Sequence, residues 1–196
     1  MLEVKGRSKG ELRPYFKQVR GEISARHKQQ WDHLICERLA SLSEFHKASQ
    51  LLVYVSTPIE VGTDSIISDS FGNKQVLCPR CVSGTNLMDF FEIHGFDDLE
   101  KGYFGIREPR EGLRKVTEFQ DSAVCIVPAL AFDLRGYRLG YGKGFYDRFL
   151  SENRLLKIGL CYDNCICDRL ENDEFDINCD IVITDKRIIK IGKEKS

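Results

Sequence analysis

Residues 123–161 read AVCIVPALAFDLRGYRLGYGKGFYDRFLSENRLLKIGLC. The run 123–127 is short, continuous and apolar, and Pro128 closes it, which is the pattern of a strand buried on both faces. A glycine-rich segment follows over 136–144, then a helix over about 145–151, then a second apolar strand over 157–161. Strands separated by helices predict a mostly parallel sheet with helices on both faces.

The alternation continues outward. Upstream, Leu51-Leu52-Val53-Tyr54-Val55 predicts another fully buried strand, 56–62 a loop, and 64–71 a helix that Thr63 can cap. The run 75–78 predicts a strand ended by Pro79, and Met88–Ile93 another. Downstream, 181–184 and 188–191 predict two short strands. At the N-terminal side 8–29 predicts one helix, because Ser8 and Glu11 have capping-box spacing and Leu12, Tyr15, Phe16, Val19 and Ile23 form one apolar face. Lys9, Arg13, Lys17 and Arg20 form its basic face, and Pro14 fits poorly inside it. A second helix is expected over about 30–42. The segment 95–118 is rich in glycine and charge and predicts a loop long enough to be a functional flap. The expected fold class is α/β: a single three-layer domain over 1–196 with a mostly parallel, Rossmann-like sheet. Such sheets bind ligands beyond the carboxyl ends of their strands, where the glycine segment lies.

Composition agrees with one globular domain. The chain has 196 residues, 42% hydrophobic and 30% charged, with 29 Lys and Arg against 30 Asp and Glu. A net charge of −1 gives no electrostatic footprint for nucleic acid. No run approaches the ~20 apolar residues of a membrane span, and MLEVKGRSKGELRPYF lacks the apolar core of a secretory signal. A cytoplasmic monomer or simple homodimer is expected. There are eight cysteines, several inside strand-like runs, where thiols behave as small buried hydrophobes. They are expected to be reduced.

Chemistry concentrates in 127–150. Gly140, Gly142 and Gly144 alternate with Tyr141, Lys143 and Phe145. Glycine lets backbone amides approach an anion, and the helix that follows offers free N–H groups. Lys143, Arg138 and Arg148 add positive charge. Asp147 is placed to hold Mg²⁺ or to complement the helix dipole. The pattern is neither a Walker loop nor a dinucleotide fingerprint. The alternative is a tight strand-to-helix turn. Cys78-Pro79-Arg80-Cys81 is a lone pair without the four ligands zinc needs. None of His27, His33, His46 and His94 lies near the glycine motif, which leaves a Ser-His-Asp hydrolase little support.

The segment Pro128–Arg148 resembles the motif PGLAFDxxGxRLGYGxGYYDR of the 5-formyltetrahydrofolate cyclo-ligase family, with Ala129 and Phe145 departing from it. Three further stretches resemble that family in order and spacing: Lys9 with Leu12 and Arg13, Glu60-Val61-Gly62-Thr63, and Phe104-Gly105-Ile106-Arg107-Glu108-Pro109. The resemblance implies ATP- and Mg²⁺-dependent closure of 5-formyltetrahydrofolate to 5,10-methenyltetrahydrofolate, through a phosphorylated formyl group. It implies Lys9, Lys143 and Tyr146 as catalytic. It implies ATP contacts at Lys9, Arg13, Arg138, Leu139, Gly140, Tyr141, Gly142, Lys143, Gly144, Phe145 and Tyr146. It implies folate contacts at Val55, Glu60, Tyr141, Gly142, Lys143, Gly144 and Phe145, and Mg²⁺ ligands at Asp147 and Asp176. Two other readings stay open: a non-catalytic nucleotide- or folate-binding module, and a sugar-phosphate or CoA-handling enzyme on a related sheet. A pure binder has no need of the whole charged set Lys9, Arg13, Arg138, Lys143 and Asp147. The other enzyme has no need of Lys9 and Arg13 joined to the glycine loop.

Overall fold

The computed structural model describes residues 3–4, 6–102 and 105–192. The chain runs α1 (Lys9–Gly21), α2 (Ala25–Ala40), α3 (Ser43–Lys47), β1 (Gln50–Leu52), α4 (Asp64–Ser70), β2 (Gln75–Cys81), β3 (Met88–Ile93), β4 (Leu99–Lys101), β5 (Arg107–Pro109), β6 (Lys115–Val116), β7 (Val124–Val127), β8 (Ala131–Asp133), β9 (Arg138–Leu139), α5 (Phe145–Glu152), β10 (Leu156–Leu160), β11 (Ile166–Cys167), β12 (Ile181–Ile183) and β13 (Ile188–Lys190).

Eight strands form one sheet in the order β13-β12-β10-β7-β1-β2-β3-β6. The stretch from β12 to β2 is parallel throughout, and antiparallel partners close both edges. Apolar runs specify this because a central parallel strand has no solvent face: β1, β7 and β12 are buried along their whole length. The steps β1→β2 and β7→β10 run in opposite directions across the sheet. Crossovers of one hand then place their helices on opposite faces. On one face Ile66 and Ile67 of α4 pack with Ile35 and Leu39 of α2. On the other, Leu150 of α5 packs with Leu12 and Phe16 of α1. A small sheet, β11-β8-β9, is added on that second face, where the ring of Phe132 lies against Gly159. A Cβ at 159 would come within 2.4 Å of that ring, so only glycine admits the contact.

Four sequence expectations are corrected. The helix expected over 8–29 stops at Gly21, and a new one starts after Ser24, whose hydroxyl accepts from the N–H of His27 at 3.3 Å. The apolar period runs through this break because Ile23 is also packed, but against the opposite core. The capping box is present, and Pro14 is accommodated inside α1. Pro79 does not end its strand: β2 continues to Cys81. Pairing with β1 stops at Leu77, so the upper half of β2 has an open side on which a missing N–H breaks no ladder. The segment 95–118 is not one irregular loop but carries β4, β5 and β6, with β4 and β5 as a hairpin. Phe104 lies outside the described residues. Lastly, β8, β9 and β11 were not expected, because strands of two or three residues show no readable period.

Among the described residues no helix is long and apolar enough to cross a membrane. All eight cysteines are free thiols.

Candidate active site

The order of the sheet creates one switch point, between β1 and β7, from which the chain winds outward both ways. Beyond the carboxyl ends of these strands lies a cavity of about 780 Å³. Tyr54 and Val55, just past β1, and Pro128, just past β7, form its floor. This is where an open α/β sheet leaves a crevice, since neighbouring crossovers part there.

The elements around the crevice each deliver one kind of group. The first turn of α1 brings Lys9 and Arg13. Arg13 Nε donates to the carbonyl of Gly140 at 3.0 Å, tying α1 to the glycine loop. Gly142 has φ +95° and Gly144 φ +70°, both in the left-handed region that favours glycine. A Cβ at 142 would also stand 3.1 Å from the Arg13 guanidinium. Gly144 is the N-cap of α5, so the loop ends with the helix N-terminus in the cavity wall, where Gly144, Phe145, Tyr146 and Asp147 all line it. Lys143 is exposed at the rim.

Two acid–base pairs hold the far wall. Arg138, buried in β9, donates to Asp147 Oδ1 at 2.6 Å and to the carbonyl of Ile177. The same Asp147 oxygen accepts from the N–H of Ile177 at 3.1 Å. Lys9 pairs with Asp176 Oδ2, which also accepts from the N–H of Asp173 at 2.8 Å. These contacts pin the loop 173–177 over the glycine segment. Asp147 Oδ2 and Asp176 Oδ1 take no hydrogen bond among the described residues. Two carboxylates therefore line one cavity, each with an oxygen to spare, and this donor set fits a hard divalent cation that completes its shell with phosphate and water.

On the floor, Glu60 is 5% exposed, and its Oε2 accepts from the N–H of Thr57 at 2.8 Å. Three tyrosines surround it. Burial, then the Glu60 charge, pushes the phenols of Tyr54 and Tyr141 well above their ordinary range. Tyr146 is raised too, by burial first and then by neighbouring Cys125 and Glu60, and its buried hydroxyl has no hydrogen-bond partner among the described residues. All three stay neutral at physiological pH and can donate. A buried donor without a partner is costly, so it marks a place where a ligand acceptor completes the site.

Of the residues expected from the sequence, the structure brings Lys9, Arg13, Val55, Glu60, Arg138, Gly140, Tyr141, Gly142, Lys143, Gly144, Phe145, Tyr146, Asp147 and Asp176 to this one cavity. Leu139 is the exception: it is fully buried in β9 and its side chain belongs to the core. Arg20, read as part of a basic face, is also buried. It donates to the carbonyls of Leu130 and Ile59 and to Cys161 Sγ. The β4–β5 hairpin adds Ile106, Arg107 and Glu108 to the lining, and Asp173 and Phe175 come from the loop beside Asp176. The only sequence signal for the hairpin residues was the motif around Glu108-Pro109, which carried no role.

The family model described as "5-formyltetrahydrofolate cyclo-ligase family" matches residues 5–185. The chain belongs to the 5-formyltetrahydrofolate cyclo-ligase family. It is 34% identical to the probable 5-formyltetrahydrofolate cyclo-ligase of Caenorhabditis elegans, over 89% of this chain and 91% of that one. It is 30% identical to the probable cyclo-ligase of Schizosaccharomyces pombe, over 80% and 84% of the two chains. Among solved structures it is similar to the 5,10-methenyltetrahydrofolate synthetase of Aquifex aeolicus, with a TM-score of 0.82, 32% identity, and 96% and 95% of the chains covered. The glycine segment that resembles the family's motif lines the cavity beyond the switch point.

Proposed function

We propose that this cyclo-ligase closes 5-formyltetrahydrofolate to 5,10-methenyltetrahydrofolate at the expense of ATP, with Mg²⁺, through a phosphorylated formyl group. The observation that carries this reading is that one cavity joins an anion cradle to a buried carboxylate floor. The cradle is Lys9, Arg13, Lys143, the glycine loop and the start of α5. It suits a triphosphate, because backbone N–H groups and cations can follow its oxygens. The floor, Glu60 with Val55 beside it, suits the N–H edge of a pterin.

Phosphoryl transfer asks a protein mainly to position reactants and neutralise charge. Lys9, Arg13 and Lys143 draw the phosphates against the loop. The bond from the γ-phosphorus to the ADP oxygen breaks as the formyl oxygen bonds to phosphorus. Tyr146, neutral and without a partner among the described residues, aims a donor at the reacting oxygen or a phosphate oxygen. N10 then attacks the activated formyl carbon and gives up its proton, and the carbon–oxygen bond breaks with release of phosphate. When bound, Mg²⁺ screens the phosphate charge. Asp147 and Asp176 would hold it, while Arg138 and Lys9 fix those carboxylates in place. Glu60 keeps the folate in register throughout.

The test is spectroscopic. Purified protein is mixed with 5-formyltetrahydrofolate, ATP and Mg²⁺, and the near-ultraviolet band of the conjugated methenyl product is followed. Growth of the band that disappears when either ATP or Mg²⁺ is omitted is expected. Growth without ATP would refute the phosphoryl-transfer route. Tight binding of both ligands with no growth would favour a binding module.

A further inference from the structure

Two groups of elements line the cavity. Lys9 and Arg13 are tied to Asp176 and Gly140, while the β4–β5 hairpin packs on β2 beside Pro79, Cys81 and Met88. The hairpin side is lined mostly by apolar groups, with Arg107 and Glu108 of β5 as its charged residues. Among the described residues the Glu108 carboxyl takes no hydrogen bond and no ion pair. Arg107, its neighbour in the chain, pairs with Asp64 at 2.6 Å, and Arg80 pairs with Glu111 at 3.2 Å. Burial raises the Glu108 pKa, and Arg80 only partly opposes this.

The backbone makes room for this side chain. Glu108 folds over Gly102 across the hairpin, so close that a Cβ at 102 would stand 2.5 Å from its carboxyl carbon. Gly102 also closes the hairpin, donating to the carbonyl of Ile106 at 2.7 Å. A half-buried acid held in a slot without a protein partner is costly unless a ligand supplies one.

We propose that Glu108 is a substrate-contacting residue that receives an N–H of the folate on the hairpin side of the cavity, and that Gly102 positions it. This rests on the folate reading above. It gives the folate two carboxyl contacts, Glu60 at the switch point and Glu108 from the hairpin. It also gives the hairpin its function, since the hairpin brings a specificity residue to the open side of β2.

The experiment measures binding of 5-formyltetrahydrofolate by calorimetry without ATP, together with KM for each substrate. Glu108→Ala is expected to weaken folate binding and raise folate KM about tenfold, the loss of one good hydrogen bond. ATP KM should stay within about twofold, which also reports an intact fold. Glu108→Gln keeps an acceptor of the same shape and should stay within about threefold of wild type. Gly102→Ala, which leaves the carboxyl in the chain but drives it from its slot, should weaken folate as Glu108→Ala does. Wild-type folate affinity in Glu108→Ala, or an equal loss for ATP and folate, would overturn the assignment while leaving the folate reading intact. Failure of the wild-type protein to bind folate would overturn both.

Discussion

Two side chains show how far single residues can be read. Tyr146 was identifiable from its motif, but only the structure shows its hydroxyl buried and unpartnered among the described residues. Tyr146→Phe removes an unsatisfied group, so thermal stability should hold or rise by up to about 1 kcal/mol. Turnover should nevertheless fall about tenfold or more, because a donor aimed at developing charge is lost. A melting curve and a steady-state rate on one preparation check both halves, and an unchanged rate would make the hydroxyl incidental. Arg20 is the opposite case. Helical period places it beside Lys17 and Arg13, yet Leu130 and Ile59, from segments far apart in sequence, fold over that part of α1 and bury it. No local pattern carries that information. Arg20→Met should lower stability by about 2–4 kcal/mol, since two buried carbonyls lose their donor. Its signature is a lower denaturation midpoint with unchanged m. A loss under 0.5 kcal/mol would show that water replaces the guanidinium.

At the scale of elements, the buried strands β1, β7, β10 and β12 and the capping box at Ser8 were legible because each is a local signal: a continuous apolar run, or a polar pair at fixed spacing. The small sheet was not, because its strands are defined by their partners. Nor was the break between α1 and α2, where one apolar period runs on while the chain changes from one core to the other. The glycine loop sits between these cases. Its composition leads to the expectation of an anion cradle, but its contact with Arg13, which reaches it from α1, is visible only in the structure. Gly142→Ala tests the shape. A side chain at φ +95° costs about 1–2 kcal/mol and also crowds Arg13 at 3.1 Å. ATP KM is expected to rise about tenfold or more, with folate binding measured alone nearly unchanged. Equal losses for both ligands would mean that the loop shapes the whole cavity rather than its phosphate end.

Across the whole molecule, the site follows from topology. Parallel strands that wind outward from one point leave a crevice at their carboxyl ends, and every charged residue expected to meet phosphate or folate faces it. Order along the chain does not show this, since Lys9 and Asp176 are 167 residues apart and meet as an ion pair. The hairpin and the 173–177 loop both contribute to the lining of the crevice. The claim at stake is that the formyl oxygen itself accepts the phosphoryl group there. Substrate carrying oxygen-18 in its formyl group tests it most directly, with the released phosphate examined by mass spectrometry after one turnover. One labelled oxygen per phosphate is expected, because the carbon–oxygen bond breaks after the phosphorus–oxygen bond has formed. Unlabelled phosphate, with the label lost to water, would contradict the phosphorylated intermediate.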